Sequence, residues 1–457
     1  MNTSHCLPWL RRLAFLLPLI LLSSGSVLAS ESPAPAIDSG DNAWMLVCTA
    51  LVLMMTAPGL ILFYGGLVRR KNVLATMMHS LILMALASFL WMAVGYSIAF
   101  ADGNAFFGNP LQYFFLNGVG VDPNPTYAGT IPQQTFMLFQ MMFAIITPAL
   151  ISGAVAERIR FGPYLLFMTL WILLVYCPLA HMVWGNGGFF NWAMGGQIPV
   201  MDFAGGIVVH ISSGVAALVA AVYLGKRNGY PSEPMIPHNV VLSLIGTGLL
   251  WVGWFGFNAG SALGSGALAT SAFSATHFSA VGATLAWVTI EWRLAGRPSV
   301  LGAASGMIAG LATITPASGF VGIPAAFCIG VAGGTVCYFA VSKLKRALKY
   351  DDSLDVFGVH CMGSTVGILM LGFLADPIVN SAIASTFTSH GQTISLAGSA
   401  GQFLNQLKGV GFTIIFSGVA TLVILWVVGL ITPLRVTEEN EDTGLDISEH
   451  GESAYND

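Results

Sequence analysis

Apolar stretches, most of them close to the roughly 20 residues a helix needs to cross a bilayer, recur along this chain with short polar joints between them. Eleven are read, over about 43–66, 74–100, 134–156, 163–183, 204–224, 239–258, 271–291, 299–313, 320–342, 356–375 and 407–432. The eighth is the shortest. A further apolar core precedes them in "MNTSHCLPWLRRLAFLLPLILLSSGSVLAS", where Arg11 and Arg12 lead into it and small residues follow as far as Ala29. That order is a signal-peptide pattern with cleavage after Ala29; a retained signal anchor is the rival reading, and the short core disfavours it. The expected organisation is a cleaved signal over 1–29, an extracytoplasmic segment over 30–42, a transmembrane domain over 43–432 and a cytoplasmic tail over 433–457.

The basic residues test the count independently, because Lys and Arg concentrate in cytoplasmic loops. Arg69, Arg70 and Lys71 follow the first segment, Arg158 and Arg160 the third, Lys226 and Arg227 the fifth, Arg293 and Arg297 the seventh. Lys343, Lys345, Arg346 and Lys349 follow the ninth, and Arg435 the eleventh. The intervening joints carry neither residue type, except for Lys408, which a position near a helix end allows to snorkel. This alternation puts the mature N-terminus outside and the C-terminus in the cytoplasm. An even number of spans would break it.

Composition agrees and excludes a soluble globular protein: 55% of the 457 residues are hydrophobic, 8% are charged, and the mean hydropathy is +0.76. The 53 Gly are spread through the apolar runs, as close helix packing through small residues requires. Of the six Cys, one lies in the signal, and Cys48, Cys177, Cys328, Cys337 and Cys361 lie in or beside apolar segments with no metal-ligand spacing. They read as packing residues. The fold class is an all-α polytopic membrane protein.

Against so apolar a background, two ionisable motifs stand out, since charge-bearing side chains in a membrane are costly and mark sites or pathways. "DFAGGIVVH" (Asp202 to His210) opens the fifth segment, and "DVFGVH" (Asp355 to His360) opens the tenth, with the histidines 150 positions apart. Two halves of five helices, an odd number each, run in opposite senses and make an inverted repeat, whose interface near the midplane is where transporter sites form. His210 and His360 are then expected to meet across the pseudo-two-fold axis. Asp202 and Asp355 each precede a helix body, where a carboxylate caps free backbone N–H groups. A direct part for Asp202 in cation attraction or proton transfer is the second reading.

Several further stretches carry a resemblance. "TAPGLILFYGGLVRRKN" (Thr56 to Asn72), "AERIRF" (Ala156 to Phe161), "AHMVWGNGG" (Ala180 to Gly188), "DFAGGIVVHISSG", "GWFGFNAGS" (Gly253 to Ser261), "DVFGVH" and "EDTGLDISEHGESAY" (Glu441 to Tyr455) together resemble the ammonium transporter (Amt/Mep/Rh) family, in its bacterial Amt branch. Order and spacing hold from about Asp41 to the C-terminus. The resemblance implies an eleven-helix protomer, two five-helix inverted repeats plus a final helix, assembled as a homotrimer with one narrow hydrophobic pore per protomer. It puts the family's pore histidines on His210 and His360 and its outer ammonium-recruitment site on Trp184 and Ser261, with Phe143 as aromatic neighbour. It puts the stacked phenyl gate on Phe143 and Phe257, the structural acid on Asp202, and pore-lining or pore-supporting positions on Trp254 and Thr315. It also implies a tail that packs on the cytoplasmic face and a PII-type regulatory protein that closes the pore there. Substrate ammonium or ammonia and membrane lipid are the other partners implied; no nucleic acid, cofactor or metal is expected, and the chain is not expected to be an enzyme.

The chemistry has its own logic. Ammonium and potassium ions are alike in size and charge, but only ammonium donates hydrogen bonds and sheds a proton. Aromatic faces and one hydroxyl hold a cation by about 0.5–2 kcal/mol of cation-π attraction plus a hydrogen bond, enough to enrich it without trapping it. An apolar lumen then rejects the ion and admits ammonia, and two neutral imidazoles are able to pass a proton, since each is both donor and acceptor. Three alternatives differ in kind: a passive Rh-type ammonia or carbon dioxide channel, a membrane enzyme with Asp202, His210 and His360 as metal ligands, and an ammonium sensor. The second lacks any metal-ligand motif. The third normally carries a signalling domain after the last span, where this tail has some 25 residues. His79, His181, His238 and His277 have no internal echo and read as structural or interface residues; Trp44 and Trp192 read as interfacial belt residues. Glu157, Arg158 and Arg160 read as structural. The tail from Glu438 onward is acidic, and its bland reading is a solvated terminus.

Overall fold

Helices account for almost all the regular structure of the computed structural model, which describes residues 36–455; the expected signal peptide lies outside the described residues. Among the described residues, nine helices are long and apolar enough to cross a membrane: α1 (Ser39–Leu67), α2 (Arg70–Phe100), α3 (Gln133–Val155), α4 (Phe161–Trp184), α5 (Gly206–Leu224), α6 (Val240–Gly260), α9 (Ile323–Leu348), α10 (Phe357–Leu374) and α11 (Ala400–Ile431). The other two expected segments are helical as well, as α7 (Ala267–Ala295) and α8 (Val300–Ile314). α7 is long but diluted by Ser, Thr and His. α8, at 15 residues, rises only about 22 Å, less than the hydrocarbon thickness of about 30 Å. Two short hairpins and two short tail helices, α12 (Glu438–Thr443) and α13 (Leu445–His450), complete the described residues.

Helix ends depart from the apolar limits where polar residues are buried. α11 starts seven positions earlier than expected, because Gln402 and Gln406 face inward and bond Pro199 O and Met201 O at 3.1 and 2.7 Å. α1 breaks at Ala57, which leaves helical geometry ahead of Pro58. α1 packs on α6 and α5 on α10, pairing the first and the last helix of each half as a two-fold relation requires. α5 and α10 approach closely at Gly214, where a Cβ would lie 2.6 Å from Cys361 Cβ.

The internal echo exists, but in a different register from the one the sequence invites. Asp202 Oδ1 accepts from the amides of Gly205 and Gly206 (2.9 and 2.6 Å), and Oδ2 from Ile207 and Val208 (2.8 and 3.3 Å). The residue 150 positions on is Asp352, and its Oδ2 accepts from Phe357 N at 2.8 Å, the counterpart of Ile207 N. Asp355, expected as the second cap, instead corresponds to Gly205: both are left-handed, with φ of 61° and 115°. Its carboxylate turns away to Lys345 Nζ at 2.6 Å. The sequence favours Asp355 because it stands next to the apolar run, whereas the cap that reaches the helix is three residues further back.

At the end of the bundle that carries most of the basic residues, an ionic cluster ties the helix ends together. Glu157 accepts from Arg69 Nε at 2.7 Å and from Arg227 Nη1 at 3.2 Å, and Arg227 also pairs with Asp351 at 2.8 Å. Arg158, fully buried, donates to Gly225 O, Ala156 O, Asp351 O and Ser353 Oγ. The tail docks on this layer: Glu441 accepts from Asn228 N (2.6 Å) and Arg435 (2.7 Å), Asp446 from Ala75 N (2.8 Å), and Glu449 from Phe161 N (2.9 Å). A freely solvated tail is therefore ruled out.

Candidate functional site

Two cavities lie on either side of the histidine pair, and one of them reaches His360 directly. The outer one, about 260 Å³, is bordered by Phe143, Trp184, Asp202 and Ser261. The inner one, about 340 Å³, is bordered by Tyr230, Lys345, Asp355 and His360. Between them lies a lumen of about 10 Å³, walled by Leu60, Ile146, Leu150, Val209, Trp254 and Phe257 with His210 and His360. That volume is at the lower limit for a single water-sized molecule.

Trp184 closes α4, and its indole Nε1 donates to Asp202 O at 3.0 Å, which leaves the ring face beside the cavity. Ser261 caps α6 and its Oγ donates to Phe257 O at 2.9 Å, so its lone pairs are free to accept. Phe143, from α3, meets Trp184 edge-on at 6.0 Å and stacks on Phe257 at 4.2 Å. Those two phenyl rings separate the outer cavity from the lumen. Asp202 is buried directly behind this wall. Burial raises its carboxyl above the ordinary value while the four amides oppose the rise, and its side chain caps α5 without facing the lumen. Here the capping reading of Asp202 has the geometry behind it.

Below the phenyl pair, His210 lies 6.0 Å from Phe257 and stacks on Trp254 at 5.4 Å. Trp254 is held by Nε1 donating to Thr315 Oγ1 at 2.9 Å, and Thr315 in turn donates to Leu311 O. His210 and His360 face each other with Nδ1 atoms 3.2 Å apart and rings 5.2 Å apart. Each histidine sits in a wide turn at the start of its helix, where the His210 amide reaches back five residues to Gly205 O at 3.1 Å. Such a turn swings its side chains out of the regular helical register, and Gly205 and Asp355 supply the left-handed residue from which each turn starts.

The Nδ1 contact has a chemical consequence. Two facing nitrogens form a hydrogen bond only if one carries the proton and the other does not, so two neutral rings must be opposite tautomers. One Nε2 is then a donor and the other an acceptor. His210 Nε2 is buried with no protein partner and borders the lumen, as an atom reserved for a passing molecule would.

All the expected site residues except Thr315, which stands behind Trp254, border the two cavities or the lumen. The four other histidines singled out in the sequence lie away from these: His79 packs on Tyr164, His181 bridges Ala99 O and Asn104 O, His238 meets Tyr455, and His277 packs on Trp251. Trp192, expected as an interfacial belt residue, borders the outer cavity and meets Phe320 edge-on at 5.4 Å. Four of the five described cysteines are buried and Cys328 is exposed, all of them free. Among the described residues no three His, Cys, Asp or Glu side chains gather to hold a metal.

Comparison with known proteins places the chain. The family model described as Ammonium Transporter Family matches residues 43–455. An ammonium transporter of Bacillus subtilis (strain 168) is 48% identical over 92% of this chain and 99% of its own length, and one of Aquifex aeolicus (strain VF5) is 44% identical over 98% and 100%. Among solved structures, Mep2 of Candida albicans superposes with a TM-score of 0.79 at 33% identity, covering 88% of this chain and 87% of that one. A sensor Amt protein gives 0.80 at 26% identity, covering 90% and 98%. The chain belongs to the ammonium transporter family.

Proposed function

We propose that the protein takes up ammonium across the plasma membrane by recruiting the ion at Trp184, Phe143 and Ser261, transferring its proton to His210 Nε2 below the Phe143–Phe257 pair, and passing ammonia along His210 and His360. The observation that carries this reading is the imidazole pair, Nδ1 to Nδ1 at 3.2 Å, with His210 Nε2 unpartnered beside a lumen of about 10 Å³. An ion in that lumen loses its hydration at a cost of several kcal/mol that Leu, Ile and Val do not offset. Ammonium escapes the cost by leaving its proton behind; potassium has no such route. The lumen is too small for a water chain beside ammonia, so the rings are the path open to the proton, which rejoins ammonia in the inner cavity.

The rest of the expected biology belongs to the same proposal: a homotrimer, N-terminus outside, with the docked tail facing the cytoplasm and a PII-type protein acting on that face. The test is the current across proteoliposomes pulsed with ammonium and with equal potassium. Current for ammonium alone, lost in the His210→Ala/His360→Ala double variant, supports the relay. Internal alkalinisation without current leaves a channel for neutral ammonia, and ammonium selectivity surviving in the double variant refutes the role of the pair.

A further inference from the structure

The outer cavity is bordered by a polar side chain that the path just described leaves unused. Gln140 lies on α3 between Phe136 and Phe143, and spacings of four and three put all three on one helix face, along the cavity. Its Oε1 is buried without a partner, and among the described residues nothing bonds its Nε2 either. The two other glutamines of the same helix are tied down: Gln133 donates to the Tyr96 hydroxyl and Gln134 to Val119 O, both at 3.3 Å. A carboxamide left open inside a protein forfeits hydration without return, so this one calls for a partner that comes and goes.

Helix geometry fixes its height. Phe143 stacks on Phe257, and Phe139 lies against Gly260, where an added Cβ would stand 2.8 Å from the ring. Numbers rise along α3 as they fall along α6, so the two helices are antiparallel. Gln140 is three residues outward of Phe143, and Ser261 four outward of Phe257. At 1.5 Å per residue they stand about 4.5 and 6 Å above the phenyl pair, at nearly one level. Trp184 borders the same space, 6.0 Å from Phe143. No protein group holds the carboxamide, so rotation about its last torsion exchanges oxygen and nitrogen without breaking a bond. Before a cation it turns the oxygen forward.

We infer that Gln140 is a second hydrogen-bond acceptor for ammonium in the outer cavity, acting at the level of Ser261. This rests on the recruitment reading above and completes it. Of the four N–H groups of the ion, one points at Ser261 Oγ and one at Gln140 Oε1, and the others are left to the Trp184 and Phe143 rings. Potassium gains from the same oxygens, so its rejection stays with the lumen below.

The test is ammonium uptake by the full chain in proteoliposomes. Gln140→Met keeps the side-chain length and loses the carbonyl, Gln140→Glu keeps an acceptor, and Trp184→Leu is measured beside them. Gln140→Met should raise the half-saturating ammonium concentration about 3- to 10-fold with the maximal rate kept, and Gln140→Glu should stay at or below the parent value. An unchanged value in Gln140→Met with a raised one in Trp184→Leu overturns this inference and leaves recruitment at Trp184 standing; unchanged values in both overturn the two together. A fall in maximal rate at constant half-saturation, or a loss that Gln140→Glu shares, marks a packing role and overturns the inference as well. Should Gln140→Met fail to fold, Gln140→Glu decides: weaker ammonium binding than in the parent, at an unaltered unfolding temperature, refutes the acceptor.

Discussion

Asp202 and Asp352 hold equivalent places in the two halves, yet truncating the first and neutralising the second should have opposite effects on stability. Asp202 accepts four amides, so Asp202→Ala leaves four buried donors; at ~1 kcal/mol net each the loss is about 4 kcal/mol. Asp352 accepts from Phe357 N, and its Oδ1 is buried without a partner. Burial, with Asp355 adding repulsion and Lys345 opposing, pushes its carboxyl up from 3.8 to about 6. Keeping it ionised at pH 7 costs about 3 kcal/mol, which Asp352→Asn removes while its amide oxygen still accepts from Phe357. The sign follows from linkage: a raised carboxyl binds its proton more tightly when folded, so the penalty is absent well below pH 3.8, grows between there and 6, and is full above. Asp352→Asn should therefore be as stable as the parent or more so at pH 7.5, with about half the gain left at pH 5. Thermal unfolding followed by tryptophan fluorescence in one detergent, at both pH values, reads the difference. Equal destabilisation by the two substitutions, or an Asp352→Asn effect that does not change with pH, would refute the reasoning.

Three further outcomes follow from the geometry. Trp184→Leu removes the aromatic face at the outer cavity and should raise the half-saturating ammonium concentration about 2- to 30-fold with the maximal rate kept, the span of a cation-π contact of 0.5–2 kcal/mol; an unchanged value in transport assays counts against recruitment there. Gly214→Ala drives a methyl into Cys361 where α5 crosses α10, and should cost about 1–3 kcal/mol and most of the transport rate by separating the imidazoles, as uptake by the purified variant would reveal. Glu441→Ala strips the buried acceptor of Asn228 N and Arg435, so amide exchange over 438–455 should quicken at least about tenfold while the spans keep their protection.

What the sequence reveals here is what depends on bulk hydrophobicity and on rare residues. Eleven apolar runs become helices because nothing else satisfies a backbone in lipid, and two histidines in so apolar a chain are conspicuous enough to be paired before their contact is seen. Where a polar residue acts through the backbone, the text of the sequence misleads. Asp355 looks like the twin of Asp202 because both precede a glycine-containing apolar run, but only the φ angles reveal that Asp355 stands in for Gly205 and that Asp352 makes the cap. The early start of α11 is hidden for the same reason: Gln402 and Gln406 read as a polar joint until their carbonyl partners are in place. Trp192 against Phe320, Glu441 against Asn228 and Asp446 against Ala75 depend on neighbours more than a hundred positions away, which no local pattern records.

The two cavities also shape the membrane's electric field. Once filled with water, the mouths on both sides would conduct the potential inward, so that it would drop not across some 30 Å of hydrocarbon but across the thin plug formed by Phe143, Phe257, His210 and His360. A full charge carried through that plug does nearly all the electrical work of crossing, about 2.3 kcal/mol per 100 mV, within a few ångström, whereas a neutral molecule does none. Under the proposed relay, voltage becomes a lever on one short contact, and a cell with an energised membrane would draw nitrogen inward in proportion to how often a proton takes the step from one ring to the other.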